Sequence, residues 1–113
     1  MKIYHNPRCS KSRQTLALIR DAGIDPEIVE YLDDPPTQKE LDRILKMLKL
    51  EPQQLMRKGE AVFKELGLGK KSLSRAATIK LLVEHPKLIE RPIVVQGKQA
   101  ILGRPPENVQ ALL

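Results

Sequence analysis

One cysteine, Cys9, occurs in 113 residues, and there is no tryptophan. A single thiol closes no internal disulfide. Together with two histidines far apart in the chain, it also falls short of the four ligands of a structural zinc site, so no metal is expected. Only three aromatic residues are present, Tyr4, Tyr31 and Phe63. That leaves few platforms for stacking bases, and the basic residues are spread along the chain rather than blocked, so nucleic acid is not an expected partner. No apolar run approaches the ~18 residues of a membrane span, no signal-peptide pattern is present, and there are no repeats or low-complexity segments. These absences point to a soluble, cytoplasmic, monomeric protein of one domain, spanning residues 1–113, in a reducing compartment. A chain of this length buries a core without help from metals or disulfides. The 20 basic residues exceed the 14 acidic ones, a formal charge of +6 that suits anionic partners such as phosphate-like oxyanions or glutathione.

What is present centres on residues 2–13, Lys-Ile-Tyr-His-Asn-Pro-Arg-Cys-Ser-Lys-Ser-Arg. A short strand over Ile3 to His5 runs into a turn at Asn6 and Pro7, and a helix begins after Cys9. A thiol at a helix mouth, with Arg8, Lys11 and Arg13 around it, is well placed to ionise, because exposed amides, the helix dipole and nearby cations all favour an anion. Cysteine also packs as a small hydrophobe, but these polar neighbours argue for a reactive thiol.

Downstream, Leu16, Ile19 and Ala22 share a helical face with Leu18 beside it, and Gly23 marks the helix end. Ile28 to Tyr31 reads as a second strand. The strand–helix–strand unit favours parallel pairing. After the break at Asp33-Asp34-Pro35-Pro36, Thr37 and Glu40 form a capping box ahead of Leu41, Ile44, Leu45 and Leu48, the clearest helical stripe in the chain. Pro52 opens a further short helix carrying Leu55 and Met56. Another covers Ala61 to Leu66 and stops at Gly67. Ser74 caps a helix whose apolar face is Ala76, Ile79, Leu82 and Val83. The period then returns to strands: Arg91 to Val95, a tight turn at Gln96-Gly97-Lys98, and Gln99 to Leu102 form a hairpin. Pro105-Pro106 leads into a last short helix. The order βαβ then ββα predicts an α/β fold of the thioredoxin-like kind, a four-stranded mixed sheet with a helical insert of about 37–85 between its halves.

Around the thiol, Cys9-Ser10-Lys11-Ser12 is C-x-x-S, so a redox cycle takes its second thiol from outside. A C-x5-R phosphate loop is absent, since Thr15 stands six residues after Cys9. His5 is either a thiolate partner or a strand-end histidine with a satisfied ring. Asn6 suits turn chemistry. Ser12 suits donation to the thiolate, a cap at the helix start, or both. His85, before Pro86 at a helix end, reads as structural. Arg91 and Arg104 each precede a proline and are therefore pushed toward extended backbone. In a thioredoxin-like sheet the proline leading into the third strand is typically cis and faces the thiol. This makes Pro92 the cis-proline candidate and brings Arg91 near Cys9. Without that fold, Arg57, Arg91 and Arg104 read as solvated surface charges.

The ordered motifs resemble the glutaredoxin-coupled arsenate reductase family over nearly the whole chain. They are Tyr4 to Arg13, Tyr31 with Asp33 to Thr37, Leu55 to Lys58, Glu65 to Leu68, His85-Pro86, Arg91 to Val95 and Gly103 to Pro105. The resemblance implies that Cys9 is a nucleophile forming a thiol–arsenic adduct with arsenate. Glutathione then acts as co-substrate with no bound cofactor, and glutaredoxin resolves the mixed disulfide. It implies that Arg57, Arg91 and Arg104 bind the oxyanion and that His5, Asn6 and Ser12 support the thiolate. The chain departs from the family pattern in ending soon after Arg104, where longer members continue, and in carrying Arg8 and Lys11, where operon-encoded reductases often have small or neutral residues. It also lacks the C-x-x-C switch usual in related regulators that bind RNA polymerase. Two other functions fit the same motifs: a monothiol, glutathione-dependent oxidoreductase of another substrate, and a non-enzymatic binding module acting through the insert.

Overall fold

The computed structural model describes residues 1–113. The chain forms two compact units: Met1–Asp34 with Arg91–Leu113, and the insert Pro35–Glu90.

In the first unit, β1 (Lys2–Tyr4) leads to α1 (Ser10–Asp21) and β2 (Glu27–Val29), and later β3 (Ile93–Gln96) and β4 (Gln99–Leu102) form the hairpin. The sheet order is β2-β1-β3-β4. β1 is parallel to β2, with Ile3 opposite Ile28, and antiparallel to β3, with Ile3 opposite Val94. The hairpin pairs Gln96 with Gln99 across a two-residue turn, where Gly97 takes φ +60°, a conformation that favours glycine. Ile3 and Val94 join Leu16 and Ile19 of α1, and Val109 of a final 3-10 helix (Pro106–Leu112), in one buried cluster. Each fully buried Ile or Leu contributes about 1.5–3 kcal/mol.

The second strand is shorter and earlier than the sequence suggests. It ends at Val29, and Tyr31, 1% exposed, lies in the following turn, where the Asp33 and Asp34 N–H groups donate to the Glu30 carbonyl. The buried stripe of α1 is also displaced. It runs Ser12, Thr15, Leu16, Ile19, while Ala22 is exposed at the helix C-cap. Those positions keep the i, i+3, i+4, i+7 spacing, but two of them are hydroxyl residues that bury only because their oxygens find partners. The same substitution occurs in α4 (Arg75–Glu84). Thr78 is buried with Ile79 and Leu82, its hydroxyl donating to the Ser74 carbonyl at 2.9 Å, and Ala76 is exposed.

The insert packs α2 (Gln38–Leu48) against α4. Leu41, Ile44 and Leu45 of α2 are buried, as are Leu55 and Leu68 from the segments between the two helices and Leu88 just after α4. Thr37 accepts from the Glu40 N–H at 3.1 Å and Ser74 from the Ala77 N–H at 3.2 Å, so both helices begin where their caps lie. A reciprocal box of Glu51 and Gln54 starts the 3-10 helix Pro52–Leu55. The short α3 covers Ala61–Glu65. Arg75 Nε donates to Asp42 Oδ1 at 2.9 Å, linking α4 to α2.

Lys49 closes α2 at φ +58°, the only non-glycine residue with positive φ. A side chain there opposes the left-handed conformation, so Lys49→Gly is expected to stabilise the fold by about 0.5–1 kcal/mol, net of glycine's larger unfolded-state entropy. Urea unfolding checks this; an unchanged or lower midpoint contradicts it.

Candidate active site

The thiol loop is built from its own side chains and backbone. Asn6 Oδ1 accepts from the Arg8 N–H at 3.0 Å, and the Asn6 carbonyl accepts from the Cys9 N–H at 3.0 Å. These two bonds fold residues 6–9 into a turn that delivers Cys9 to the N-cap position of α1 in extended backbone. Arg13 reaches back to the Pro7 carbonyl at 2.9 Å. Asn6 is thus a shaping residue, 9% exposed.

Ser12 is fully buried and lies within the first turn of α1. Its hydroxyl does not cap the helix. It accepts from the Asn6 N–H at 3.0 Å and is hydrogen-bonded to His5 Nδ1 at 2.6 Å. His5 is likewise buried and continues the β1–β2 pairing through its N–H to the Val29 carbonyl at 2.8 Å. His5 and Ser12 therefore tie the strand end to the helix start.

Cys9 is half-buried and its sulfur is free. Burial by itself raises a thiol pKa, but the Ser12 N–H, the hydrogen bond and charge of the Arg91 side chain, and the Lys11 N–H outweigh it and hold Cys9 below the ordinary thiol value. The Arg91–Pro92 peptide is cis, and Arg91 comes to the sulfur from this turn just ahead of β3. A second cis bond, Arg104–Pro105, follows β4, and no motif in the sequence marks it. Arg104 donates to the Arg91 carbonyl at 3.4 Å, so the two arginines adjoin each other across the two cis turns.

Arg57 belongs to the insert. Its N–H donates to the Leu88 carbonyl at 2.6 Å, its Nε lies 3.1 Å from Glu60 Oε1, and its NH1 lies 3.5 Å from Glu90 Oε2. Two carboxylates orient this guanidinium within its own unit. His85 sits at the C-cap of α4, where its carbonyl accepts from the Leu88 N–H. No cluster of three or more His, Cys, Asp or Glu side chains is arranged to hold a metal ion. No helix is long and apolar enough to cross a membrane.

Burial holds the His5 pKa below 6.5; Glu30 opposes this, and Arg20 and Arg13 reinforce it. A base with a depressed folded-state pKa is neutral in the fold and takes up a proton on unfolding. Its stabilising contribution is therefore complete above about 6.5 and is lost as pH falls from there toward the lower folded value. Unfolding free energy is expected to drop through that window by no more than about 1.4 kcal/mol per pH unit from this group. Urea titrations from pH 7.5 to 5 on the wild type and His5→Gln measure the difference. Equal slopes contradict the assignment.

A lone thiol at a helix start, reached by an arginine from a cis-proline turn in a β2-β1-β3-β4 sheet, defines a thioredoxin-like thiol protein. More narrowly, the chain belongs to the ArsC family, whose model matches residues 4–112. It is 51% identical over 110 residues to the uncharacterized protein YfgD of Escherichia coli K12, covering 96% of this chain and 92% of that one. It is 46% identical over 114 residues to an arsenate reductase of Neisseria meningitidis serogroup A, covering 100% and 97% respectively. Among solved structures, an arsenate reductase from Vibrio cholerae superposes with a TM-score of 0.94 at 51% identity, covering 100% of this chain and 98% of that one.

Proposed function

We propose that the protein reduces arsenate to arsenite with glutathione and glutaredoxin, using Cys9 as the nucleophile. The observation that carries this reading is the Cys9 thiol, held below its ordinary pKa beside Arg91, in a chain of the ArsC family. The Cys9 thiolate attacks pentavalent arsenic and displaces water, forming a sulfur–arsenic bond. Glutathione sulfur then bonds to Cys9 sulfur as the sulfur–arsenic bond breaks. Both electrons of that bond go to arsenic, which leaves as trivalent arsenite. Glutaredoxin thiol attacks the glutathione sulfur of the mixed disulfide and frees Cys9. The second thiol comes from outside because the chain has no second cysteine.

Arg91 and Arg104 act in this scheme as oxyanion donors that also favour the thiolate. The family resemblance assigns Arg57 as a third donor; within its own unit its guanidinium is held by Glu60 and Glu90. His5, Asn6 and Ser12 hold the loop in which the thiolate forms. No bound cofactor enters the cycle, and the reaction belongs to the cytoplasm, where glutathione is reduced.

The test supplies arsenate, glutathione, glutaredoxin and NADPH-driven glutathione recycling. Arsenate-dependent NADPH consumption is expected with the wild type and absent with Cys9→Ser. Equal rates for the two proteins overturn the proposal. Turnover of a low-molecular-weight glutathione mixed disulfide, with no response to arsenate, moves the activity to a monothiol oxidoreductase.

A further inference from the structure

Gly103 and Thr15 lie between the two halves of the thiol site in the sheet unit, and neither carries charge or touches the sulfur. Gly103 follows β4 and is buried. Its N–H donates to the Pro92 carbonyl at 2.9 Å, so it is bonded to the cis turn that carries Arg91. Its carbonyl lies 3.4 Å from the Thr15 hydroxyl, and that hydroxyl donates to the Lys11 carbonyl at 2.8 Å. Thr15 is fully buried. Lys11 in turn offers its N–H to the Cys9 sulfur. A continuous chain of contacts therefore runs from the first turn of α1, through Thr15 and Gly103, to the Arg91–Pro92 turn, and Arg104 is the next residue after Gly103.

The fit at Gly103 is steric. A Cβ at this position would stand 2.7 Å from Pro92 Cγ and 3.0 Å from Thr15 Cγ2, and closer still to Thr15 Oγ1. Real Cβ atoms essentially never show separations below 3.0 Å, so a side chain here pushes against both Thr15 on α1 and Pro92 in the cis turn. The backbone of Gly103 has no positive φ, so conformational freedom does not account for the residue. Glycine is required there by close approach.

We propose that Gly103 and Thr15 are positioning residues, a spacer whose thickness sets the distance between the Cys9 end of α1 and the Arg91–Pro92 turn. The spacer concerns the thiol site as such. Its link to arsenate use rests on the reaction proposed above, and alkylation of Cys9 in the absence of arsenate tests it independently. With one cysteine in the chain, alkylation by iodoacetamide reports a single site.

Three variants of the full chain make the test: Gly103→Ala, Thr15→Ala, and the two combined. A thicker spacer in the first and a thinner one in the second both displace Arg91 from the sulfur. Each single variant is expected to alkylate at pH 7 roughly three- to tenfold more slowly than the wild type, with the midpoint of the rate–pH profile moved upward. In the combined variant the alanine methyl at 103 occupies space vacated by the Thr15 side chain. It is expected to recover at least about half of the lost rate on a logarithmic scale, although the Pro92 contact remains. A folded Gly103→Ala protein with the wild-type profile overturns the proposal. If Gly103→Ala fails to fold, Thr15→Ala decides: a wild-type profile in that variant overturns the spacer, and a raised midpoint supports it. A double variant slower than either single also overturns it, since a merely structural role predicts additive damage and no rescue. If the profiles move as expected and the wild type consumes no NADPH with arsenate, the spacer stands and the proposed reaction falls.

Discussion

Replacing Arg91 with alanine is expected to slow alkylation of Cys9 at pH 7 roughly tenfold and to cut arsenate turnover roughly a hundredfold or more. Two opposing influences meet at the sulfur. Burial disfavours the thiolate, and the Ser12 amide, the Arg91 guanidinium and the Lys11 amide favour it. The two amides belong to the helix start and survive the substitution. Arg91 supplies both a hydrogen bond and a charge. Without it, burial is opposed only by neutral dipoles, the thiol pKa moves up, and less thiolate exists at neutral pH. The difference between wild type and variant should shrink as pH rises past the ordinary thiol range, near 8.5, where both proteins are thiolate. Turnover suffers more than alkylation, because iodoacetamide needs only the thiolate, whereas in the reaction proposed above the oxyanion also loses a charged, planar donor. Arg91→Lys should recover part of the alkylation rate and little of the turnover, since an ammonium restores charge without the guanidinium fork. A wild-type alkylation profile in a folded Arg91→Ala protein contradicts this account.

Ser12→Ala is expected to destabilise the fold by about 2–4 kcal/mol, a large effect for the loss of one exchangeable oxygen. The hydroxyl is fully buried and serves two groups, the Asn6 N–H at 3.0 Å and His5 Nδ1 at 2.6 Å. Both remain buried when the oxygen is removed, and each loses a partner that water cannot easily replace. The loop from His5 to Cys9 then has only the Asn6 side chain, the Arg13 bond to the Pro7 carbonyl and the backbone to keep its shape. Cysteine alkylation at pH 7 should slow in the same variant, because the Ser12 amide is directed by the turn that the hydroxyl anchors. Ser12→Thr retains the oxygen and adds a methyl in a space with no exposure, so it separates hydrogen bonding from packing. Urea unfolding of the three proteins measures both contributions. A Ser12→Ala midpoint equal to that of the wild type shows that the hydroxyl bears no such load.

The strand–helix–strand start, the capped helices of the insert and the hairpin were legible because each rests on local chemistry: Thr37 and Ser74 at N-caps, Gly97 in a two-residue turn, and period-two or helical spacing between them. The thiol's exposure to helix amides was legible for the same reason. Burial of Ser12, Thr15 and Thr78 was not, because a hydroxyl enters a core only when a specific oxygen or nitrogen awaits it, and that partner is fixed by the fold. Ala22 and Ala76 were drawn into apolar faces by type alone, yet both stand in solvent. Pro92 announced its isomer only through the thioredoxin-like order, and Pro105 had no such guide. The pairing of Arg57 with Glu60 and Glu90 has half its signal in the i, i+3 spacing and half in a contact thirty-three residues distant. Gly103 left the faintest trace. A glycine required by close approach, with an ordinary φ, looks in sequence like any loop glycine.

β1 is an interior strand whose neighbours come from both ends of the chain, β2 shortly after it and β3 only past residue 90. During translation the nascent protein therefore carries a strand with one side unfilled and a thiol without its guanidinium while the whole insert is being made. At a synthesis rate of roughly 5–20 residues per second, that interval lasts several seconds. The cysteine is made early and lacks the charge and hydrogen bond of Arg91 until that residue follows. The side chain that most directly favours its ionised form, Arg91, arrives only with the last stretch of polypeptide.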